Sequence, residues 1–256
     1  DALLGEAIEA PGQAGRLLNQ LDGRREQAAA ALASAERPVR ERRGISVHGR
    51  RLKRDALLRR EAGELVLPDG RRVTLPELVV PPDARIAVQG PNGAGKSTLV
   101  AALLDDATAT DSLAPSEVLW IPQEISAAEA ARLIREVRDL DHDELGRVIS
   151  TISRLASDPE QLLQTGLPSP GETRKLMLAL GLERRPAIVV MDEPTNHLDL
   201  VSMECLEQAL AEFAGALVIV SHDDAFVRAL AECVWVFRDT YLEITGVAPE
   251  SGPPDR

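Results

Sequence analysis

Aromatic side chains are scarce in this chain. Three Phe, two Trp and one Tyr make up 2% of its 256 residues, and all six follow residue 119. A core must therefore be built from Leu, Val, Ile and Ala, the main contributors to a hydrophobic share of 44%. Cysteine is limited to Cys205 and Cys233, which form neither a disulfide framework nor a metal motif and read as small apolar fillers in a reducing cytoplasm. Long apolar runs are missing too. Runs such as Ala187–Met191 and Ala216–Val220 reach about a quarter of the ~20 residues that a membrane span requires. No signal peptide is evident and the chain opens with Asp1, so the expectation is a protein without direct membrane insertion and a piece of a longer chain. Positive charge is short overall: the formal net charge of −12 argues against coating nucleic acid through bulk charge. Disorder as the overall state is excluded by the composition, which suits one large or two small globular domains.

The charge is unevenly spread. Residues 36–60 carry ten basic side chains against three acidic ones, a local +7 that leaves −19 for the rest. That window is either a contact for RNA or an acidic partner, or a solvated face beside a linker. Before it, Leu17, Leu18, Leu21, Ala28, Leu32 and Ala35 recur at three- to four-residue steps, which predicts an amphipathic helix over 14–35, closed by Pro38. From Glu64 the pattern turns to short β segments: Glu64–Leu67, a Pro-Asp-Gly turn, Arg72–Leu75 and Leu78–Val80. A strand Arg85–Gln89 and a helix Ser97–Leu104 follow, then helical patterning over 127–163 and a helix from Gly171. Next come a strand Ala187–Met191, a helix around Met203–Phe213 and a strand Ala216–Val220. Strands alternating with helices predict an α/β fold with a largely parallel sheet covered on both faces.

Between the strand Arg85–Gln89 and its helix lies Gly90-Pro91-Asn92-Gly93-Ala94-Gly95-Lys96-Ser97, a full G-x-x-x-x-G-K-[ST] run. Glycines let backbone amides converge on phosphate oxygens, and the helix N-terminus adds its dipole. Lys96 then reaches the terminal phosphates and the Ser97 hydroxyl ligates Mg²⁺. The strand ending at Met191 is followed by Asp192 and Glu193. At a strand end beside a phosphate loop, Asp192 suits a Mg²⁺ ligand and Glu193 a base that polarises water. The strand Ala216–Val220 ends in Ser221-His222-Asp223. If the three strand ends converge on one crevice, His222 meets the terminal phosphate.

In this order the motifs resemble the ATP-binding cassette (ABC) family: the loop Gly90–Thr98, Gln123 in Ile121-Pro122-Gln123-Glu124, and a signature-like Ser169-Pro170-Gly171-Glu172. Asp192-Glu193-Pro194, Asn196-His197-Leu198-Asp199 and His222 complete the set. The resemblance spans about residues 60–240. It implies an α/β P-loop NTPase of ABC type, with a mostly parallel core, an N-terminal antiparallel β part and a small helical subdomain at about 124–168. By the same resemblance ATP and Mg²⁺ are the cofactors, and Gln123 couples Mg²⁺ to the helical subdomain. Glu193 activates water, Asp199 communicates across a dimer and His222 senses the γ-phosphate. Ser169, Gly171 and Glu172 face the nucleotide of a second cassette, while Ser169 also fits a helix cap with Pro170 at the first position and Glu172 at the third.

Within the family the run Asp192-Glu193-Pro194-Thr195-Asn196-His197-Leu198-Asp199 looks most like ABC-F, whose members act on ribosomes. On that resemblance residues 1–43 are the end of a helical linker and 44–256 the second cassette. The implied activity is that of an ATPase module of a translation factor or ribosome-protecting resistance protein, completed by a second cassette and with ribosomal RNA as a partner. An ATPase subunit of a transporter and a non-hydrolysing scaffold are the alternatives. The family often stacks adenine on an aromatic upstream of the loop. None precedes Trp120 here, so Leu67, Pro68 or Arg71 takes that place, with relaxed base selectivity as the expectation.

Overall fold

The computed structural model describes residues 49–246 apart from 111, 160, 161 and 163–167. The helix expected over 14–35, the linker assigned to 1–43 and the basic window before residue 49 lie outside the described residues. Ten strands and six α-helices are described: β1 (Leu58–Arg60), β2 (Gly63–Val66), β3 (Arg72–Leu75), β4 (Leu78–Val80), β5 (Arg85–Gln89), α1 (Lys96–Ala109), β6 (Val118–Ile121), α2 (Ala127–Arg138), α3 (His142–Arg154), α4 (Pro170–Glu183), β7 (Ile188–Asp192), α5 (Leu200–Ala211), β8 (Ala216–Val220), α6 (Asp224–Leu230), β9 (Cys233–Phe237) and β10 (Leu242–Gly246).

Six strands form the main sheet in the order β10-β9-β5-β8-β7-β6, and every pairing is parallel except that of β10 with β9. The antiparallel pairs β1–β4 and β2–β3 make the N-terminal β part. Every residue of β7 and β8 is buried, as expected of strands covered on both faces. Their side chains alternate between two cores. Ile188, Val190, Val218 and Val220 join Leu99, Val100 and Leu103 of α1. Val189, Met191, Leu217 and Ile219 join Leu178 and Leu182 of α4, Leu206 and Leu210 of α5, and Phe226 of α6.

A third core, with Leu133, Ile134 and Val137 of α2 and Val148 and Ile152 of α3, closes on Leu176, Ala179 and Leu180 of α4. Helix α4 thus belongs to both the sheet layer and the helical layer. The helical pattern over 127–163 is divided at residues 139–141. Asp141 caps α3, its carboxylate accepting from the Glu144 amide while Glu144 accepts from the Asp141 amide, and this capping box ends one helix and starts the next. The strands β1, β6, β9 and β10 and the helix α6 had no counterpart in the sequence reading. They are short, and tertiary pairing rather than periodicity defines them.

In the described part of the basic window the guanidinium groups are engaged. Arg50, Arg51, Arg59 and Arg60 pair with Glu117, Asp83, Glu77 and Asp106, and Arg54 donates to the Ser112 carbonyl. The solvated, ion-paired face is the reading these contacts favour. Among the described residues no helix is long and apolar enough to cross a membrane. Leu217, fully buried at the centre of the sheet, gives the packing a direct test. Replacement by Ala is expected to cost about 2–5 kcal/mol, read as a lower urea midpoint at unchanged m-value.

Candidate active site

Parallel register sets the carboxyl ends of β5, β8 and β7 side by side, and the residues that follow each strand meet in a cleft of about 670 Å³. This is within the roughly 300–1,000 Å³ of small-molecule sites. The phosphate loop after β5 contributes Asn92, Gly93, Gly95, Lys96, Ser97 and Thr98; Asp192, Glu193 and Asn196 come from β7 and its turn, and His222 from the end of β8. Gln123, just after β6, and the β2–β3 turn with Leu67, Pro68, Asp69 and Arg71 complete the walls.

Glycine is required in the loop. Gly90 has φ 146° and Gly95 φ 104°, and a Cβ would lie 2.6 Å from Phe237 Cβ at the first and 2.4 Å from Leu67 Cδ2 at the second. Helix α1 starts at Lys96 with no side-chain cap and no acidic residue in its first turn, so its leading amides are unpaired within the helix and favour an anion. Pro91 and Ala94 shape the loop through the bond from the Ala94 amide to the Pro91 carbonyl.

Lys96 Nζ donates to the carbonyls of Gly90 (2.9 Å) and Pro91 (3.0 Å) and to His222 Nε2 (3.0 Å). Burial holds its ammonium below the ordinary lysine value, opposed by the carboxylates of Glu193 and Asp192. Glu193 Oε1 lies 3.5 Å from Nε2 of His222 and is buried without a hydrogen-bond partner. A buried, unpaired acceptor oxygen aimed into a cleft suits the polarisation of a water. Glu193 itself sits at φ 46°, a left-handed conformation unusual for a non-glycine residue. Ser97 Oγ donates to Asp192 Oδ2 at 2.5 Å, placing two hard oxygen ligands together. No group of three or more acidic, His or Cys side chains capable of holding a metal occurs among the described residues. A divalent cation here thus needs phosphate and water oxygens as well as Ser97 and Asp192, which is the habit of Mg²⁺.

Residues 76–196 match the family model described as ABC transporter. The probable ATP-binding protein YheS of Escherichia coli K12 is 36% identical over 63% of this chain and 27% of its own length. The ABC transporter F family member 2 of Dictyostelium discoideum is 30% identical over 62% and 29%. The chain carries an ABC ATPase cassette of the ABC-F type. The cassette also resembles the tylosin resistance ATP-binding protein TlrC of Streptomyces fradiae, at 35% identity over 60% of this chain and 29% of that one. It spans between a quarter and a third of the length of these relatives. Among solved structures, the dimeric bacterial ABC transporter cassette MJ0796 shares the fold, with a TM-score of 0.56 at 16% identity over 75% of this chain and 99% of that one.

The remaining signature residues of the cassette form a second group that does not line the cleft. Ser169 caps α4: its Oγ accepts from the Glu172 amide at 3.3 Å, and Glu172 Oε2 accepts from the Ser169 amide at 3.0 Å, with Pro170 in the first turn. Gly171 packs so closely that a Cβ would stand 2.6 Å from the His197 carbonyl oxygen. Asp199 caps α5 by accepting from the Ser202 amide at 2.7 Å, and that bond first, then its contacts with Ser202 and Lys175, hold its carboxyl below the ordinary aspartate value.

Arg71 stands in the wall of the cleft, bound to Asp69 through Nε at 2.7 Å and to the Gly93 carbonyl through Nη2 at 2.5 Å. Sequence reading named Asn196 only as part of a motif, and it missed Asp69 and above all Arg174 as site residues. The sequence does carry a clue to Arg174: Arg174-Lys175 opens directly into Leu176–Leu182, so a helix placing that run in a core must bury charge. Replacing Lys96 with Ala removes the charge-assisted phosphate contact. Nucleotide affinity is expected to fall by about 2–3 kcal/mol in a titration with a fluorescent ATP analogue, and unchanged affinity would remove the loop from the site.

Proposed function

We propose that the cassette binds ATP with Mg²⁺ and hydrolyses it as part of an ABC-F protein that works on the ribosome, as a translation factor or in antibiotic resistance. The observation that carries the reading is the meeting of Lys96, Ser97–Asp192, Glu193 and His222 in one cleft at the end of a parallel sheet. Lys96 and the α1 amides hold the phosphates, and Lys96 must exchange its carbonyl partners for phosphate oxygens on binding. Bound Mg²⁺ supplies charge neutralisation on the phosphates, with Ser97, Asp192 and Gln123 as the side chains that hold it or its waters. Glu193 orients and deprotonates the attacking water, and His222 donates to the terminal phosphate once Lys96 has turned away from Nε2.

The separation of Ser169, Gly171, Glu172 and Asp199 from the cleft supports a site completed by a second cassette. Beside Asp199, Leu200 and Val201 are 65% and 47% exposed, which offers that cassette an apolar contact. Closure of two cassettes on ATP, and release after hydrolysis, makes the nucleotide a population switch. The ABC-F type of the chain and the role of TlrC in tylosin resistance support the ribosomal reading.

Glu193→Gln is expected to keep nucleotide binding and lower phosphate release by about 10²–10⁴-fold. The same variant should pellet with ribosomes in ATP·Mg²⁺ and remain in the supernatant in ADP. Parent-level phosphate release would remove Glu193 from the mechanism. Absence from the pellet with both nucleotides, in a protein carrying both cassettes, would overturn the ribosomal reading and favour a transporter subunit.

A further inference from the structure

Arg174 lies in the second turn of α4 and is 4% exposed. It has no carboxylate partner among its hydrogen bonds. Instead Nη1 donates to the carbonyls of Glu193 at 2.9 Å and Asn196 at 2.8 Å, with that of Pro194 at 3.4 Å, and Nη2 donates to the Gln123 carbonyl at 2.7 Å. The acceptors come from two remote segments: the turn after the acidic strand end and the loop that leads from β6 into the helical layer. Burial lowers the guanidinium below the ordinary arginine value, and the nearby Asp192 and Glu193 carboxylates oppose that shift. A rigid fork of donors reaches such a spread of carbonyls, whereas the point charge of a lysine does not.

The turn it holds is strained. Glu193 and His197 have φ of 46° and 65°, and three of the carbonyls that Arg174 gathers belong to residues 193–196. Such backbone persists only where its surroundings over-determine it. The Glu193 amide donates to the Val220 carbonyl at 2.8 Å, so the residue is pinned to β8 on one side and to Arg174 on the other. Helix α4 carries Leu178 and Leu182 in the sheet core and Leu176, Ala179 and Leu180 in the helical core. A tilt of the helical layer therefore moves Arg174, and with it the backbone that aims the Glu193 carboxylate.

We propose that Arg174 is a positioning residue that ties the Gln123 loop and α4 to the backbone of Glu193, so that the catalytic carboxylate is aligned only when the helical layer is correctly seated. This rests on Glu193 being the water-activating base. In a protein carrying both cassettes, Arg174→Lys is expected to lower kcat about 10–100-fold, the effect of a sub-ångström to ångström misplacement, while the nucleotide Kd changes less than about threefold. In the Glu193→Gln background the same change should cost nothing further, because the two residues act as one unit. Amide exchange should rise in segments 123–126 and 194–198 and stay unchanged in β7 and β8. A kcat within twofold of the parent, equal losses in kcat and affinity, or an additional loss beside Glu193→Gln would overturn the proposal. If the parent releases no phosphate, the hydrolytic reading fails by itself and the exchange measurement decides: unchanged exchange in both segments of Arg174→Lys refutes the positioning role.

Discussion

The parallel pairing of β5 with β8 and of β8 with β7 turns three distant stretches of sequence into one site. In a parallel sheet all carboxyl ends face the same way, so whatever follows each strand is delivered to one edge. Here those deliveries are a glycine-rich loop, a pair of carboxylates and a histidine. The pairing is itself secured by burial. Every side chain of β7 and β8 is packed on one face or the other, and a slip of one residue would exchange their two faces.

Three cations are buried close to this edge, and each is kept by a different device. Lys96 is surrounded by carbonyls and Nε2 of His222, an arrangement that phosphate oxygens can take over. Arg174 is held by backbone carbonyls through both terminal nitrogens, its buried Nε being without a partner, and becomes part of the turn's architecture. Lys175 is lowered by burial, which is opposed by the Asp199 and Glu172 carboxylates of the second signature group. Buried charge without a partner is costly. In this fold the carbonyl bonds of Arg174 fasten α4 to the turn after β7.

The two groups of signature residues are linked through α4 and the segment 193–199. Gly171 sits against the His197 carbonyl, and Arg174 holds the Glu193 and Asn196 carbonyls. The Ser169 end of α4 and the carboxylate of Glu193 are therefore neighbours through one rigid stretch, although they open onto different surfaces. The capping box at Ser169 is formed with Pro170 in place, since a first-turn proline gives up an amide that has no intrahelical partner.

The phosphate loop, the acidic strand end and the histidine after β8 were legible in the sequence because their chemistry is local. Glycines, a lysine and a serine at fixed spacing define a loop wherever it folds, and an apolar pentad ending in Asp-Glu defines a strand and its end. The cap of α4 was legible for the same reason, being written within four residues. The two-layer role of α4 and the grip of Arg174 on carbonyls 51 and 19 residues away were not. Backbone carbonyls carry no sequence signature, so the sequence can hint that charge is buried at Arg174 but not which carbonyls it binds. The short strands β6, β9 and β10 escaped likewise, because these four- to five-residue segments are committed by their neighbours in the sheet and not by their own pattern. Composition and motif alone determined that a glycine-rich loop of the phosphate-binding type lies between a strand and a helix. Which carbonyls restrain Glu193, and which surface each signature residue faces, was decided by packing, since those contacts join segments whose separation along the chain leaves no periodicity to read.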